Sequence, residues 1–195
     1  MKIIAISGAH GCGKTSVLEE LQKQNHQEIF IDDFKVSRTV LAELGLTLEQ
    51  ATKTATLTQK YQKLVLSKKI DRDGVVLPSA VYDPQVRSVF VDRSIADVYA
   101  YTRLWVEKNN VDKKWFADFE DMCISTIRMY SKVLLIPIGK FPFVDDGVRA
   151  KEETQQIIAT YIEEFVKLHC DDYVIIEPTS IVDRANLFAT IAKEQ

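Results

Sequence analysis

The chain has 195 residues, of which 46% are hydrophobic and 27% charged, and its net charge is −3. A chain of this length forms one domain that buries enough surface to fold without disulfides or a structural metal. Its three cysteines, Cys12, Cys123 and Cys170, include no Cys-x-x-Cys pair, which excludes a disulfide scaffold and a zinc ribbon and indicates a reducing compartment. The mild acidity argues against a nucleic-acid binder that relies on bulk positive charge.

The sequence also shows no pattern typical of a signal peptide or a membrane-spanning segment. The first residues meet charge and glycine almost at once, unlike a signal peptide, and no segment approaches about 18 consecutive apolar residues. We therefore expect a cytoplasmic protein that does not bind a membrane.

Short apolar runs alternate with segments of helical periodicity along the whole chain. The predicted elements are, in chain order, strand 2–7, helix 14–24, strand 29–31, helix 35–44, helix 47–70, strand 87–91, helix 95–108, helix 113–130, strand 132–136, helix 148–168, strand 173–176 and helix 181–192. Residues 71–74 are predicted to end the long helix, and residues 75–84 favour neither helix nor strand. This alternation is typical of an α/β fold with three layers, in which helices cover both faces of a mostly parallel five-stranded sheet.

The first predicted strand is followed by a glycine-rich loop. Residues 8–15, GAHGCGKT, match the phosphate-binding pattern G-x-x-x-x-G-K-[ST] between a strand and a helix. In such a P-loop the backbone N–H groups and the helix dipole hold phosphates, Lys14 reaches the β- and γ-phosphates, and the Thr15 hydroxyl binds Mg²⁺. The predicted ATP-binding residues are Gly8, Ala9, His10, Gly11, Cys12, Gly13, Lys14, Thr15 and Ser16. The fold class is therefore that of P-loop nucleoside triphosphate hydrolases and kinases.

The third predicted strand ends in an acid. Asp92 lies where an acidic residue helps to hold Mg²⁺, directly or through water. The next residue is Arg93, whereas many hydrolytic ATPases have there a glutamate that orients water, so the sequence favours transfer to an acceptor. No N-K-x-D guanine-recognition motif is present, which argues against a GTPase switch.

Two further acids follow the second predicted strand. Asp32 or Asp33 is expected to accept the proton of a substrate hydroxyl or to position the acceptor, with Asp33 slightly favoured. The alternative is that either aspartate simply caps the next helix.

Residues 137–152 are expected to form a lid that closes over the phosphates and excludes water. Arg149 would neutralise charge on the transferred group as a catalytic arginine, and the alternative is a solvated arginine at a helix start.

These segments together resemble a known group of enzymes. The set GAHGCGKTS, IDDFKVSR, VFVDRSIADVYAYTRL and FPFVDDGVRAKEE is similar to the small P-loop kinase-like domains related to nicotinamide-riboside kinases and, more distantly, to thymidylate and deoxynucleoside kinases. The resemblance implies that Asp92 and Arg93 contact magnesium and phosphate or substrate. It also implies that Asp32 or Asp33 is the acid after the second strand and that Arg149 is the lid arginine. It spans most of residues 1–195 but not the acceptor-binding region, residues 35–85, so it names no acceptor.

A basic stretch lies inside that region. Residues 53–72 carry six basic residues against one acid. The basic residues are Lys53, Lys60, Lys63, Lys68, Lys69 and Arg72. This stretch either binds an acceptor phosphate or a nucleic-acid strand, or is the solvated face of an amphipathic helix.

The sequence therefore predicts an ATP- and Mg²⁺-dependent kinase of a nucleoside or nucleotide, as a monomer or homodimer. Two alternatives stay open. One is a kinase that modifies a polynucleotide, and the other is an ATP-hydrolysing regulatory switch.

Overall fold

In the computed structural model, which describes residues 1–80, 83–109, 111–138, 152–177 and 179–194, five strands form one sheet. The strands are β1 (Lys2–Ser7), β2 (Ile29–Asp32), β3 (Ser88–Asp92), β4 (Lys132–Leu135) and β5 (Tyr173–Ile175). Their order across the sheet is β2-β3-β1-β4-β5, and all four pairings are parallel. The predicted sheet is thus confirmed, and every strand of its described part runs in the same direction.

The central strand β1 brings the ends of its two neighbours together. Ile6 of β1 lies opposite Asp92 of β3, and Ser7 lies opposite Leu135 of β4. The loop after β1 and the residues after β3 therefore leave the sheet at the same edge, where ligands of open α/β sheets bind.

Helices cover both faces of this sheet. They are α1 (Lys14–Lys23), α2 (Val36–Leu44), α3 (Leu48–Ala51), α4 (Ala55–Asp71), α5 (Leu77–Ala80), α6 (Ile95–Asn109), α7 (Lys113–Ile127), α8 (Glu152–His169) and α9 (Ile181–Lys193). Alternate residues of β1 point to opposite faces, as strand geometry requires. Ile3 and Ala5 join the core under α2, α4, α6, α7 and α8, whereas Ile4 and Ile6 join the core under α1 and α9. The three-layer prediction is confirmed.

The single helix predicted over residues 47–70 is wrong, because two helices share that segment. Thr47 begins α3 with a capping box in which its hydroxyl accepts from the N–H of Gln50 at 3.2 Å and the Gln50 side chain accepts from the N–H of Thr47. Thr54 then begins α4, its hydroxyl accepting from the N–H of Leu57 at 3.3 Å. Each new cap starts a new helix.

The predicted stop at residues 71–74 is also wrong. The chain continues through a π-helical turn, Arg72–Val76, directly into α5. The physical reason is Asp73, which is fully buried, lies 2.8 Å from the ammonium of Lys69 and accepts a 2.6 Å hydrogen bond from the hydroxyl of Tyr130. The buried partners of Asp73 keep residues 72–76 helical, although the sequence of residues 71–74 predicts a solvent-exposed turn.

Other elements match their predictions to within a few residues, although the predicted helix 113–130 ends already at Ile127. Most of the predicted lid, residues 139–151 including Arg149, lies outside the described residues. Within the part of the chain that the structure covers, no helix is long and apolar enough to cross a membrane.

Candidate active site

The loop between β1 and α1 has a backbone that requires glycine. A Cβ atom at Gly8 would lie 2.5 Å from the carbonyl oxygen of Ile136 and 2.8 Å from the Sγ of Cys12, which is too close for any side chain. Gly13 has a φ of 89°, in the left-handed region, and is the residue that caps α1. Among the residues that the structure describes, no side chain caps α1, and no acid occupies its first turn. The positive end of the α1 dipole is therefore left for an anion.

Lys14 lies inside this loop. Its side chain is only 6% exposed, and its ammonium donates to the carbonyl oxygens of Gly8 and Ala9, the latter at 2.7 Å. Thr15 and Ser16, by contrast, are exposed at the start of α1. The loop thus combines a buried cation with an accessible hydroxyl, the two groups that the P-loop pattern assigns to phosphate and Mg²⁺.

Asp92 lies at the end of β3, and one of its two carboxylate oxygens forms an ion pair. The carboxylate forms an ion pair with Lys35 through Oδ2, whereas its buried Oδ1 has no hydrogen-bond partner among the described residues. Burial tends to raise the pKa of Asp92, but the charges of Lys14 and Arg93 and the ion pair with Lys35 outweigh it, so the pKa is below its usual value. A carboxylate that stays ionised with an unused oxygen, together with the accessible Thr15 hydroxyl, fits a Mg²⁺ site.

The two acids after β2 differ in their surroundings. Asp32 is buried and forms a two-pronged ion pair with Arg72, with Nη2 to Oδ1 at 2.5 Å and Nε to Oδ2 at 3.3 Å. This hydrogen bonding raises the pKa of Arg72, whose guanidinium also lies 4.9 Å from the centre of the Phe34 ring. Asp33 is exposed. Asp32 is therefore occupied, and Asp33 is accessible to an acceptor.

Arg93 has an unusual backbone for an arginine. Its φ is 74°, and its N–H donates to the carbonyl oxygen of Ile6 at 3.0 Å. Its guanidinium lies 3.4 Å from a carboxylate oxygen of Asp97 and 5.2 Å from the centre of the Tyr101 ring, and about a third of the side chain is exposed. The arginine is thus held beside the crevice with part of its donor set accessible.

Sequence reasoning missed Asp97. This acid in α6 is 1% exposed, accepts from the hydroxyl of Ser7 at 2.7 Å and from the N–H of Ser94 at 3.0 Å, and lies 3.4 Å from the N–H of Gly8. A signal was available, because Ser94 and Asp97 match the S-x-x-[DE] pattern of a capping box. Lys35 and Arg72 were also missed as partners of Asp92 and Asp32, and no local pattern identifies such pairs.

The basic stretch of residues 53–72 does not act as one surface. Lys68 pairs with Glu43, Lys69 with Asp73, and Arg72 with Asp32. The other three cations, Lys53, Lys60 and Lys63, are exposed. Three of the six cations are therefore paired with acids of the chain, and of these three pairs Lys69–Asp73 is buried.

Comparison with known proteins bears on the family and the fold of the chain. A family model described as an AAA domain matches residues 3–184. No curated protein matches significantly.

Among solved structures, a deoxyadenosine kinase from M. mycoides with dCMP and dCDP bound aligns with a TM-score of 0.68 and 18% identity over 97% of both chains. NadR in complex with NR aligns with a TM-score of 0.72 and 16% identity over this whole chain, which spans 52% of the NadR chain. At these identities the likeness shows the fold alone, which is that of kinase-like P-loop proteins.

Proposed function

The chain belongs to the AAA-domain family of P-loop proteins, and from that premise we propose that it is a kinase that transfers the γ-phosphate of ATP to a nucleoside or nucleotide. One observation carries the proposal. The groups that we propose bind phosphate and acceptor lie at one edge of the sheet, with Lys14 in the P-loop, Asp92 beside it, and Asp33 and Arg93 on the side of β2 and β3.

Each residue has a role in this proposal. Thr15 and Asp92 would hold Mg²⁺, which supplies charge neutralisation on the β- and γ-phosphates. Lys14 binds the same phosphates, and Arg93 orients the acceptor. Asp33 accepts the proton of the acceptor hydroxyl while the hydroxyl oxygen forms a bond to the γ-phosphorus. ADP departs with the electrons of the broken bond. Arg149 of the lid remains a proposed stabiliser of the transferred group.

The charges at the acceptor side favour a nucleoside over a nucleotide. Among the described residues, three cations of the acceptor side are Lys35 after β2, Arg72 in the π-helical turn after α4, and Arg93 after β3. Each already has a carboxylate partner, namely Asp92, Asp32 and Asp97 in that order. A second phosphate on the acceptor would need a cation beyond these pairs, whereas a neutral hydroxyl needs only a base.

The test is transfer from radiolabelled ATP to a panel of nucleosides, nucleoside monophosphates, nicotinamide riboside and single-stranded DNA, with Lys14→Ala as the inactive control. We expect label on a nucleoside and little hydrolysis without an acceptor. Label on single-stranded DNA with steep salt dependence would instead support the exposed lysines Lys53, Lys60 and Lys63 as a nucleic-acid site. Robust hydrolysis without transfer to any acceptor would contradict the kinase proposal and favour a regulatory switch.

We expect substitutions of the two acids after β2, Asp32 and Asp33, to have different effects. Asp33→Asn should lower kcat by about 100-fold or more, the usual contribution of a general base, and leave stability unchanged because Asp33 is exposed. Asp32→Asn should mainly lower the free energy of unfolding, by about 1–3 kcal/mol, because Arg72 loses a charged partner. Steady-state kinetics and urea unfolding of both variants measure this. The reverse pattern would make Asp32 the base.

A further inference from the structure

Two residues of α6, one helical turn apart, each contact both the P-loop and Arg93. The Oδ1 of Asp97 lies 3.4 Å from the N–H of Gly8 and 3.4 Å from a guanidinium nitrogen of Arg93. The hydroxyl of Tyr101 forms a 3.1 Å hydrogen bond with the Nδ1 of His10, and the Tyr101 ring lies 5.2 Å from the guanidinium carbon of Arg93. Residues four apart share one face of a helix, so α6 holds the loop and the arginine from one side.

The backbone at Arg93 is held by hydrogen bonds other than these side-chain contacts, one of them to the second oxygen of Asp97. Its φ of 74° is a conformation that non-glycine residues rarely adopt, and it persists only where the surroundings determine it. The N–H of Arg93 is bonded to Ile6 of the central strand, and the N–H of the next residue, Ser94, donates to the Oδ2 of Asp97 at 3.0 Å. Strain of this kind is concentrated at functional sites.

The two carboxylate oxygens of Asp97 have different partners. Oδ2 accepts from Ser7 and Ser94 and holds the ends of β1 and β3 together, whereas Oδ1 contacts Gly8 and Arg93. In Asp97→Asn the amide oxygen is needed by the Ser94 N–H, so the amide NH₂ would face two other donors. That substitution therefore disturbs the position of Arg93 more than the turn itself.

We propose that Asp97 and Tyr101 are positioning residues that hold the Arg93 guanidinium at a set distance from the P-loop. This inference rests on the proposed kinase function, in which Arg93 orients the acceptor and the P-loop binds the donor. The distance between the two sets how well the acceptor oxygen is aligned with the γ-phosphorus. A loosened Arg93 leaves the donor bound but the acceptor misaligned, so that water competes for the phosphoryl group.

The test is a double-mutant cycle on transfer, with nucleotide binding and the hydrolysed share of ATP measured in parallel. Tyr101→Leu is expected to lower kcat for transfer by about tenfold, to increase the hydrolysed share and to leave the dissociation constant for Mg·ATP nearly unchanged. In an Arg93→Ala background the same substitution should have no further effect on kcat, because the group that it positions is absent. Asp97→Asn is expected to lower kcat for transfer as well and, because the same Oδ1 also contacts the N–H of Gly8, to raise the dissociation constant for Mg·ATP.

Tyr99→Phe is the matched control, since Tyr99 lies on the same helix and its hydroxyl donates to Glu120 at 2.8 Å, away from Arg93. It should leave all three measurements unchanged. If Asp97→Asn fails to fold, Tyr101→Leu alone decides. Additive effects of Tyr101→Leu and Arg93→Ala, in an enzyme that does transfer phosphate, would overturn this inference and leave the kinase function standing. A wild-type protein that transfers phosphate to no acceptor would overturn the kinase function, and this inference with it.

Discussion

Replacing Lys14 with alanine is expected to lower kcat for phosphoryl transfer by about 1,000-fold, the upper range for loss of one preorganised charge-stabilising donor. The ammonium is almost fully buried within the loop, so no solvent ion substitutes for it efficiently. Its lost contacts are with the carbonyl oxygens of Gly8 and Ala9, which water can reach once the side chain is removed.

The matched control is Lys23→Ala on the same helix, because Lys23 is exposed and its ion-pair partner among the described residues is Glu20. Its activity should equal that of the wild type. Thermal unfolding with and without Mg·ATP distinguishes an effect of the substitution on nucleotide binding from an effect on folding, since a ligand that binds the folded state raises the Tm. We expect the Tm of Lys14→Ala without ligand to stay near the wild-type value while its ligand-induced increase falls. A kcat within tenfold of wild type would remove Lys14 from the mechanism.

Gly8→Ala is expected to cause the second large effect, a loss of about 1–3 kcal/mol in the free energy of unfolding from overpacking, together with loss of nucleotide binding. The new methyl group would meet the Ile136 backbone at 2.5 Å and Cys12 at 2.8 Å. Since Ile136 follows β4 and Cys12 belongs to the P-loop, relief of this contact must move the loop away from the sheet.

Gly45→Ala separates steric conflict from backbone strain. Gly45 ends α2 with a φ of 64°, and a Cβ there meets nothing within 4 Å. Only the left-handed backbone is penalised, at about 1 kcal/mol, and nucleotide binding should stay intact. Urea unfolding and the Mg·ATP-induced increase in Tm measure both variants. Equal behaviour of the two would show that the close approach at Gly8 is not what the loop requires.

The parts of the fold that the sequence predicts are those with a local signal. Apolar runs predict all five strands, and Gly45 correctly predicts the end of α2. The π-helical turn has no such signal, because Asp73 stays helical through Tyr130, which lies far along the chain. Helix ends set by single threonine caps were missed within a segment of continuous helical periodicity.

In the candidate site, too, the sequence predicts the features that have a local signal. The P-loop is a contiguous motif, and the strand ends direct attention to Asp92, Asp32 and Asp33 from the sequence alone. What distinguishes Asp32 from Asp33 is the ion pair with Arg72, which forms only when the π-helical turn after α4 comes beside the end of β2. Ion pairs between residues distant in sequence depend on packing, so the chemical roles of these acids remain predictions.

The strand order also determines when the phosphate-binding loop can form. β1 is near the start of the printed sequence, yet Lys2 pairs with Ser88 and Ile4 with Lys132. Contacts between such distant residues form slowly during folding, because the intervening chain must first be ordered. β1 precedes β3 and β4 in the chain, so its apolar residues stay exposed until those two strands have been synthesised. The proposed nucleotide site is completed late, and we therefore expect ATP to stabilise only a chain whose sheet is already assembled.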